Sequence, residues 1–172
     1  TLFDFAGRTL RTQMTHNNGT TTYVVKRRME YDHGSRLKKM YHTFQSDADE
    51  VLLTENVYNE VGQLVLKKSN SRSGGPFAQQ TDYRYHIRGW LERINDPNAA
   101  APNDLFSMSL YYDAPASGED AQHNGNISEM RWTSAGSDLQ NYRYRYDKMS
   151  RLMEARFFNL IRPTQNGRYD EK

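Results

Sequence analysis

Polar and apolar residues alternate along most of this chain. Tyr23, Val25, Met29 and Tyr31 fall on one parity, and Val24, Lys26, Arg28 and Glu30 on the other. Tyr83 and Tyr85 alternate with Asp82, Arg84 and His86, and Tyr142, Tyr144 and Tyr146 with Arg143, Arg145 and Asp147. A period of two over such lengths predicts half-buried antiparallel strands. Each of these segments leads into a turn and then a second strand, as at 64–68 and 152–158. Helical spacing is convincing nowhere.

The strands recur. An aromatic residue followed by a turn stands at Phe3, Tyr31, Tyr58, Tyr85, Tyr112 and Tyr146, with steps of 28, 27, 27, 27 and 34 residues. A fixed period in this range is the signature of a repeat array. Aligned on these anchors, the copies read aromatic, Asp-like, two variable residues, small, Arg-like, Leu. Asp4, Asp32, Asn59 and Asp147 are expected to shape the turns, because a short side-chain oxygen can accept from backbone N–H groups two residues on. Gly7, Gly62 and Gly89 are expected to supply positive φ. Ser35 and Ser150 stand where glycine is wanted. Gly34 is expected to take over the special conformation in the first case, and strain or another turn is expected in the second.

One hairpin cannot bury its own aromatic face. Stacked copies can, so the six anchors are read as a structural aromatic ladder. The fold class that follows is all-β: an array of antiparallel β-hairpins of period about 27, spanning 1–172 as one domain. A sheet of this many strands is expected to curl strongly, into a spiral or half-shell. The Ser- and Gly-rich stretch 69–76 reads as a flexible loop. The stretches 95–104 and 114–125 read as insertions, the second accounting for the longer last step. Both ends fall inside repeats, at Phe3-Asp4-Phe5-Ala6-Gly7 and Tyr169-Asp170, which reads as a piece of a longer array. Its two cut edges are expected to favour edge-strand self-association.

Composition narrows the function classes. The 12 Tyr, 7 Phe and 2 Trp offset a mean hydropathy of -0.96. With 23 basic and 21 acidic residues the net charge is +2, too balanced and too interspersed for a nucleic-acid binder. There is no cysteine, which excludes disulfides and Cys-ligated zinc. No apolar run reaches the length of a spanning helix, and no signal peptide is read within this stretch, so any export signal is expected to lie outside it.

The copies Phe3-Asp4-Phe5-Ala6-Gly7-Arg8, Tyr31-Asp32-His33-Gly34-Ser35-Arg36-Leu37, Tyr58-Asn59-Glu60-Val61-Gly62-Gln63-Leu64, Tyr85-His86-Ile87-Arg88-Gly89-Trp90-Leu91 and Tyr146-Asp147-Lys148-Met149-Ser150-Arg151-Leu152 resemble the YD repeat of the RHS family. The stretches Ile94-Asn95-Asp96-Pro97, Asn103-Asp104-Leu105-Phe106 and Asn124-Gly125-Asn126-Ile127 with Trp132 resemble RHS proteins of the Bacteroidetes type more closely. The resemblance implies a segment of an RHS-type β-shell in a large secreted or cell-surface bacterial protein. Its partners would be the rest of the same polypeptide and an encapsulated C-terminal domain, a toxin in polymorphic toxins. The family's Asp-Pro-x-Gly-Leu self-cleavage signature is not reproduced at Asp96-Pro97-Asn98-Ala99-Ala100.

Candidate chemistry is sparse. His16, His33, His42, His86 and His123 make no metal-ligand spacing. Asp113, Glu119, Asp120, Asn124 and Asn126 gather oxygens in one loop, without the spacing of an EF-hand; a solvated loop explains them more simply. No carboxylate pair, nucleophile elbow or P-loop can be picked out, so no catalytic residue, metal or cofactor is assigned. The expectation is a non-enzymatic scaffold. The alternative is a cell-surface carbohydrate-binding module, with Trp90, Trp132, Tyr85 and Tyr144 stacking on sugar rings. A packing role explains those rings more simply, because their spacing follows the repeat.

Overall fold

The computed structural model describes residues 1–72, 74–99 and 104–159 and the strand at 168–169. The expectations for Ser73, for 100–103 and for Asp170 fall outside these residues. Thirteen strands run in chain order: β1 (Leu2–Phe3), β2 (Thr9–Asn17), β3 (Thr22–Tyr31), β4 (Leu37–Phe44), β5 (Val51–Tyr58), β6 (Leu64–Arg72), β7 (Gln79–Tyr85), β8 (Leu91–Ile94), β9 (Phe106–Tyr111), β10 (Glu129–Ser134), β11 (Gln140–Tyr146), β12 (Leu152–Asn159) and β13 (Arg168–Tyr169). One 3-10 turn, Asp47–Asp49, joins β4 to β5. The chain forms two compact units, Thr1–Thr81 and Asp82–Lys172.

Every strand is hydrogen-bonded to its neighbour in sequence, and the pairs from β1 to β6 and from β7 to β13 are antiparallel. The strongly curved or spiral sheet expected from the number of strands is corrected by this topology. The order ends at β1 and β13, which are not paired with each other, and the sheet is neither closed nor strongly curled. Strand number alone does not close a sheet. Closure needs first and last strands to meet at a fixed stagger, whereas here each tight turn lays the next strand beside the last.

Within each unit no helix covers the sheet among the described residues, and neither has a conventional oily core. Among the described residues the buried positions are mostly polar: Thr43, Thr54, Ser71, Asn95, Ser107, Ser109, Ser128, Glu129 and Asn141, with Leu110 and Tyr112 as buried hydrophobes. Most rings are half-buried, covered on their flanks by cross-strand neighbours. Order comes from the backbone ladder and from hydrogen-bonded side chains within the layer.

The stretch 69–76 is corrected as well. β6 continues through Arg72, pairing Thr54 with Ser69 and Leu52 with Ser71. Serine and asparagine look like loop residues, but the ladder uses only their backbone. Ser71 is 2% exposed, and its hydroxyl donates to the Gly75 carbonyl at 2.7 Å.

Candidate functional site

The turn motif has one geometry wherever it is complete. In the second copy the Asp32 carbonyl accepts from the Ser35 N–H (3.0 Å), and the Asp32 N–H donates to the Arg36 carbonyl (3.0 Å). Oδ1 of Asp32 accepts from the N–H groups of Gly34 and Arg36, both at 2.9 Å, and Oδ2 accepts from Arg36 Nε at 2.7 Å. Asp4 with Arg8 and Asp147 with Arg151 repeat this pattern. Asn59 accepts from the Gln63 N–H, and the two amide side chains bond each other at 2.8 Å. His86 uses Nδ1 to accept from the Arg88 N–H. The Arg36 N–H and guanidinium hold the Asp32 carboxyl below its usual range, and Arg151 does the same for Asp147. Burial works against ionisation of Asp4, but bonds from Arg8 and Ala6 outweigh it and lower that carboxyl too.

The fourth turn residue is left-handed in each of these turns: Gly7 (φ +81), Ser35 (+64), Gly62 (+88), Gly89 (+85) and Ser150 (+62). Gly34 does not take over the special conformation. Ser35 adopts it, and Ser150 keeps the same turn. An L-residue in this region costs about 1–2 kcal/mol. The five hydrogen bonds around Asp32 impose that conformation on Ser35. Ser35→Gly is therefore expected to stabilise the chain by roughly 0.5 kcal/mol, read as a higher urea midpoint. The gain is reduced by loss of the exposed bond that Arg8 Nη1 donates to Ser35 Oγ at 2.9 Å.

Consecutive copies are joined by a recurring contact. The phenol of one anchor donates to the carbonyl just after the Arg position of the preceding turn: Tyr31 to Thr9 (2.9 Å), Tyr58 to Leu37 (2.9 Å), Tyr112 to Leu91 (2.7 Å) and Tyr146 to Ile127 (2.9 Å). Burial raises the Tyr112 and Tyr146 phenols, which keeps them protonated donors. The preceding turn's arginine lies over the same ring, Arg8 at 5.2 Å from the Tyr31 centroid and Arg36 at 4.7 Å from that of Tyr58. Within the first unit these anchors therefore meet guanidinium and carbonyl groups of the previous copy. Phe3 is 55% exposed in β1. The phenol of Tyr85 is raised by burial.

Ring-on-ring contact is concentrated in the second unit. Trp90 stacks on His86 (5.1 Å, 11°) and tilts against Tyr112 (5.0 Å), while a Cβ at Gly125 would lie 3.0 Å from its indole. Trp90 is thus packed between its own turn and the 124–127 turn. Trp132 stacks on Tyr142 at 5.6 Å; Phe157 tilts against both, and Tyr144 stacks on Tyr142 at 6.0 Å. These rings form a half-buried platform on one face of β10, β11 and β12.

The long last step has a structural cause. Gly125 (φ +97) and Ile127 occupy the small and Leu positions of a turn that begins at Tyr112-Asp113. The insertion lies inside that turn. Its loop is tied down by Gln122 N–H to the Tyr112 carbonyl (2.8 Å), Asn124 to Ser150 Oγ (2.8 Å) and Arg143 to Glu119 (3.7 Å).

Beneath this loop sits a carboxylate that sequence reasoning missed. Glu129 on β10 is 0% exposed. Its Oε1 accepts from Arg131 Nε (2.6 Å) and from the Asn141 amide, and its Oε2 from the Ser117 N–H at 3.0 Å. Burial pushes the carboxyl up, but the bonds from Ser117, Arg131 and Asn141 outweigh it and lower its pKa. In the sequence Glu129 is one more acidic residue beside a strand, and only the inserted loop buries it. Gln45 (φ +66), Asn70 (+56) and Asn95 (+48) were missed too. Gln45 and Asn95 cross-link strands through their amides, Gln45 with Val24 and Thr22, Asn95 with Asp82 and Phe106. Asparagine's tolerance of left-handed backbone was the available signal.

Among the described residues no group of three or more His, Cys, Asp or Glu could hold a metal ion, and no helix is long and apolar enough to cross a membrane. No protein-family model matches the chain, and no curated protein does. Solved structures do. A chain in the crystal structure of TcdB2-TccC3-Cdc42 is similar with a TM-score of 0.54 and 15% identity, covering 90% of this chain and 9% of that one. A chain in the crystal structure of TcdB2-TccC3-TEV matches with a TM-score of 0.38 and 12% identity, covering 95% of this chain and 11% of that one. The chain thus spans about a tenth of the length of the solved chains it matches. The first likeness is a distant one, of fold.

Proposed function

We propose that this chain is a non-catalytic structural segment of a larger exported RHS-type polypeptide, forming part of a wall that encloses or displays a partner domain. The observation that carries this reading is the recurring link between copies. An anchor phenol bonds a carbonyl of the preceding turn at Tyr31, Tyr58, Tyr112 and Tyr146, with a turn arginine over the ring at Tyr31 and Tyr58, so the arrangement extends by repetition and uses its polar groups to hold itself together. Such an array gains stability from each added copy. The YD-like turns and the fold likeness to the TcdB2-TccC3-Cdc42 chain support it.

The test is protease protection in the natural full-length polypeptide. A downstream domain is expected to resist digestion in the wild type and to become cleavable when Tyr58→Phe and Gly62→Val break the link between neighbouring copies. A wild-type polypeptide with no protected or stably held domain overturns the reading. A glycan array on the same material addresses the carbohydrate-binding alternative, for which Trp132→Ala is the informative variant. Saturable binding abolished by that change, with the fold intact, would replace the scaffold reading.

A further inference from the structure

One turn of the repeat is capped by a group that can lose its acceptor. In the turns of Asp4, Asp32 and Asp147, Oδ1 accepts two backbone N–H groups, and Oδ2 holds the arginine of the motif. The 85–91 turn puts His86 in the aspartate's place and Trp90 in the arginine's. Its backbone closes in the same way, with the Gly89 N–H donating to the His86 carbonyl and the His86 N–H to the Trp90 carbonyl, both at 2.8 Å. The side chains act differently. His86 Nδ1 accepts from the Arg88 N–H at 3.2 Å, and the imidazole stacks on the Trp90 indole. An imidazole nitrogen has one lone pair, so Nδ1 accepts only while it carries no proton.

The other ring nitrogen faces the next turn. Nε2 lies 3.4 Å from Asp113 Oδ2, and the His86 side chain is 15% exposed. With Nδ1 accepting, Nε2 carries the hydrogen and aims it at that carboxylate. The other titratable and charged groups around the ring are few. Arg88 lies 5.3 Å from the Trp90 centroid, and its Nη1 donates to the His123 carbonyl. The Tyr112 ring stands 6.2 Å from the imidazole, and Glu92 of β8 acts on the Tyr112 phenol. Histidine is the residue type whose ordinary charge change falls between pH 5 and 8. A second proton makes Nδ1 a donor opposite the Arg88 N–H, which breaks that bond. The same proton turns the Nε2 contact with Asp113 into an ion pair. A neutral hydrogen bond and a partly exposed ion pair contribute similar small amounts, so protonation redirects the ring and leaves overall stability about level.

We propose that the 85–91 turn is an acid-responsive joint between copies, in which protonated His86 releases the Arg88 N–H and pairs with Asp113 of the following turn. The Asp32 and Asp147 turns do not respond in the same interval. Backbone and side-chain bonds from Arg36 and Arg151 keep those carboxylates ionised below the usual carboxylate range. The stacked indole follows the imidazole, so the joint also shifts Trp90 against Gly125, where a Cβ would stand 3.0 Å from its ring. The proposal does not depend on the scaffold reading, since every contact it uses lies within the second unit.

The test is an NMR titration of the nitrogen-labelled chain from about pH 7.5 to about pH 5, the range in which histidine changes charge. The Arg88 amide is expected to move with a single midpoint. The Gly34 and Met149 amides, which bond Asp32 and Asp147, are expected to stay still. His86→Asn should hold the Arg88 amide fixed, because an amide oxygen accepts at every pH. Asp113→Asn should keep the titration and lower its midpoint by roughly half a pH unit, because the imidazolium loses its counter-charge. His123→Gln should change neither the amplitude nor the midpoint. An Arg88 amide that does not move overturns the proposal, as do Gly34 and Met149 amides that move with it. A midpoint indifferent to Asp113→Asn overturns it too, and so does a titration that survives His86→Asn or vanishes in His123→Gln. The wild-type and Asp113→Asn titrations decide the matter even where His86→Asn does not fold.

Discussion

Glu129→Ala is expected to destabilise the second unit by about 3 kcal/mol, the usual cost of removing one partner from a buried charged network. The carboxylate is fully enclosed and accepts from Arg131, Asn141 and the Ser117 N–H. Alanine leaves the Arg131 guanidinium, only 18% exposed, without its counter-charge. It also strips the acceptor from the Asn141 amide, whose Oδ1 already lacks a partner. The effect should show as a lower urea midpoint and as faster amide exchange across 114–127, because Ser117 anchors that loop to the sheet. Glu129→Gln keeps the shape and loses the charge, so it should fall between wild type and alanine. The pH dependence has a definite sign. The carboxyl is held below its ordinary 4.5, so its ionised form contributes stability that is fully present above that value and is lost as the pH falls through the lowered pKa. The advantage of wild type over Glu129→Gln should therefore be constant near neutrality and shrink on acidification. A wild type and alanine variant with the same midpoint would show that the loop is held by something else.

Gly62→Val is expected to cost about 2–3 kcal/mol, and Gly7→Val only about 1–2 kcal/mol. Both glycines are left-handed, at φ +88 and +81, so both variants incur the backbone strain of a β-branched residue there. They differ in their surroundings. A Cβ at Gly62 would stand 3.0 Å from Arg36 Nη1, whereas nothing lies within 4 Å of one at Gly7. The crowded guanidinium is the one that packs over Tyr58 and bonds Asp32. The difference between the two variants, measured by denaturant unfolding of each, isolates the contact between consecutive turns. Equal losses would mean that the turns do not lean on one another.

Local chemistry carried much of the fold into the sequence. Period-two alternation and turn residues act over a few neighbours, so the strands, their antiparallel order and the 27-residue rhythm were legible before any coordinates. Strand ends were less so: Ser69 to Arg72 looks like loop and is strand, because ladder bonds are indifferent to side-chain polarity. Ser35 shows the same limit from the other side. Its residue type argues for relocation of the left-handed position to Gly34, yet the bonds from Asp32 outweigh that preference.

The sequence by itself determined the hairpins, because an Asp-x-x-Gly-Arg turn and its alternating strands close through contacts a few residues apart. Only the tertiary structure decided that the sheet stays open and that Tyr58 meets the Leu37 carbonyl and Arg36. It also decided that an insertion inside one turn encloses Glu129. Burial and charge compensation are properties of what lies across the strand or above the sheet, and a residue's own neighbours in sequence carry no record of either.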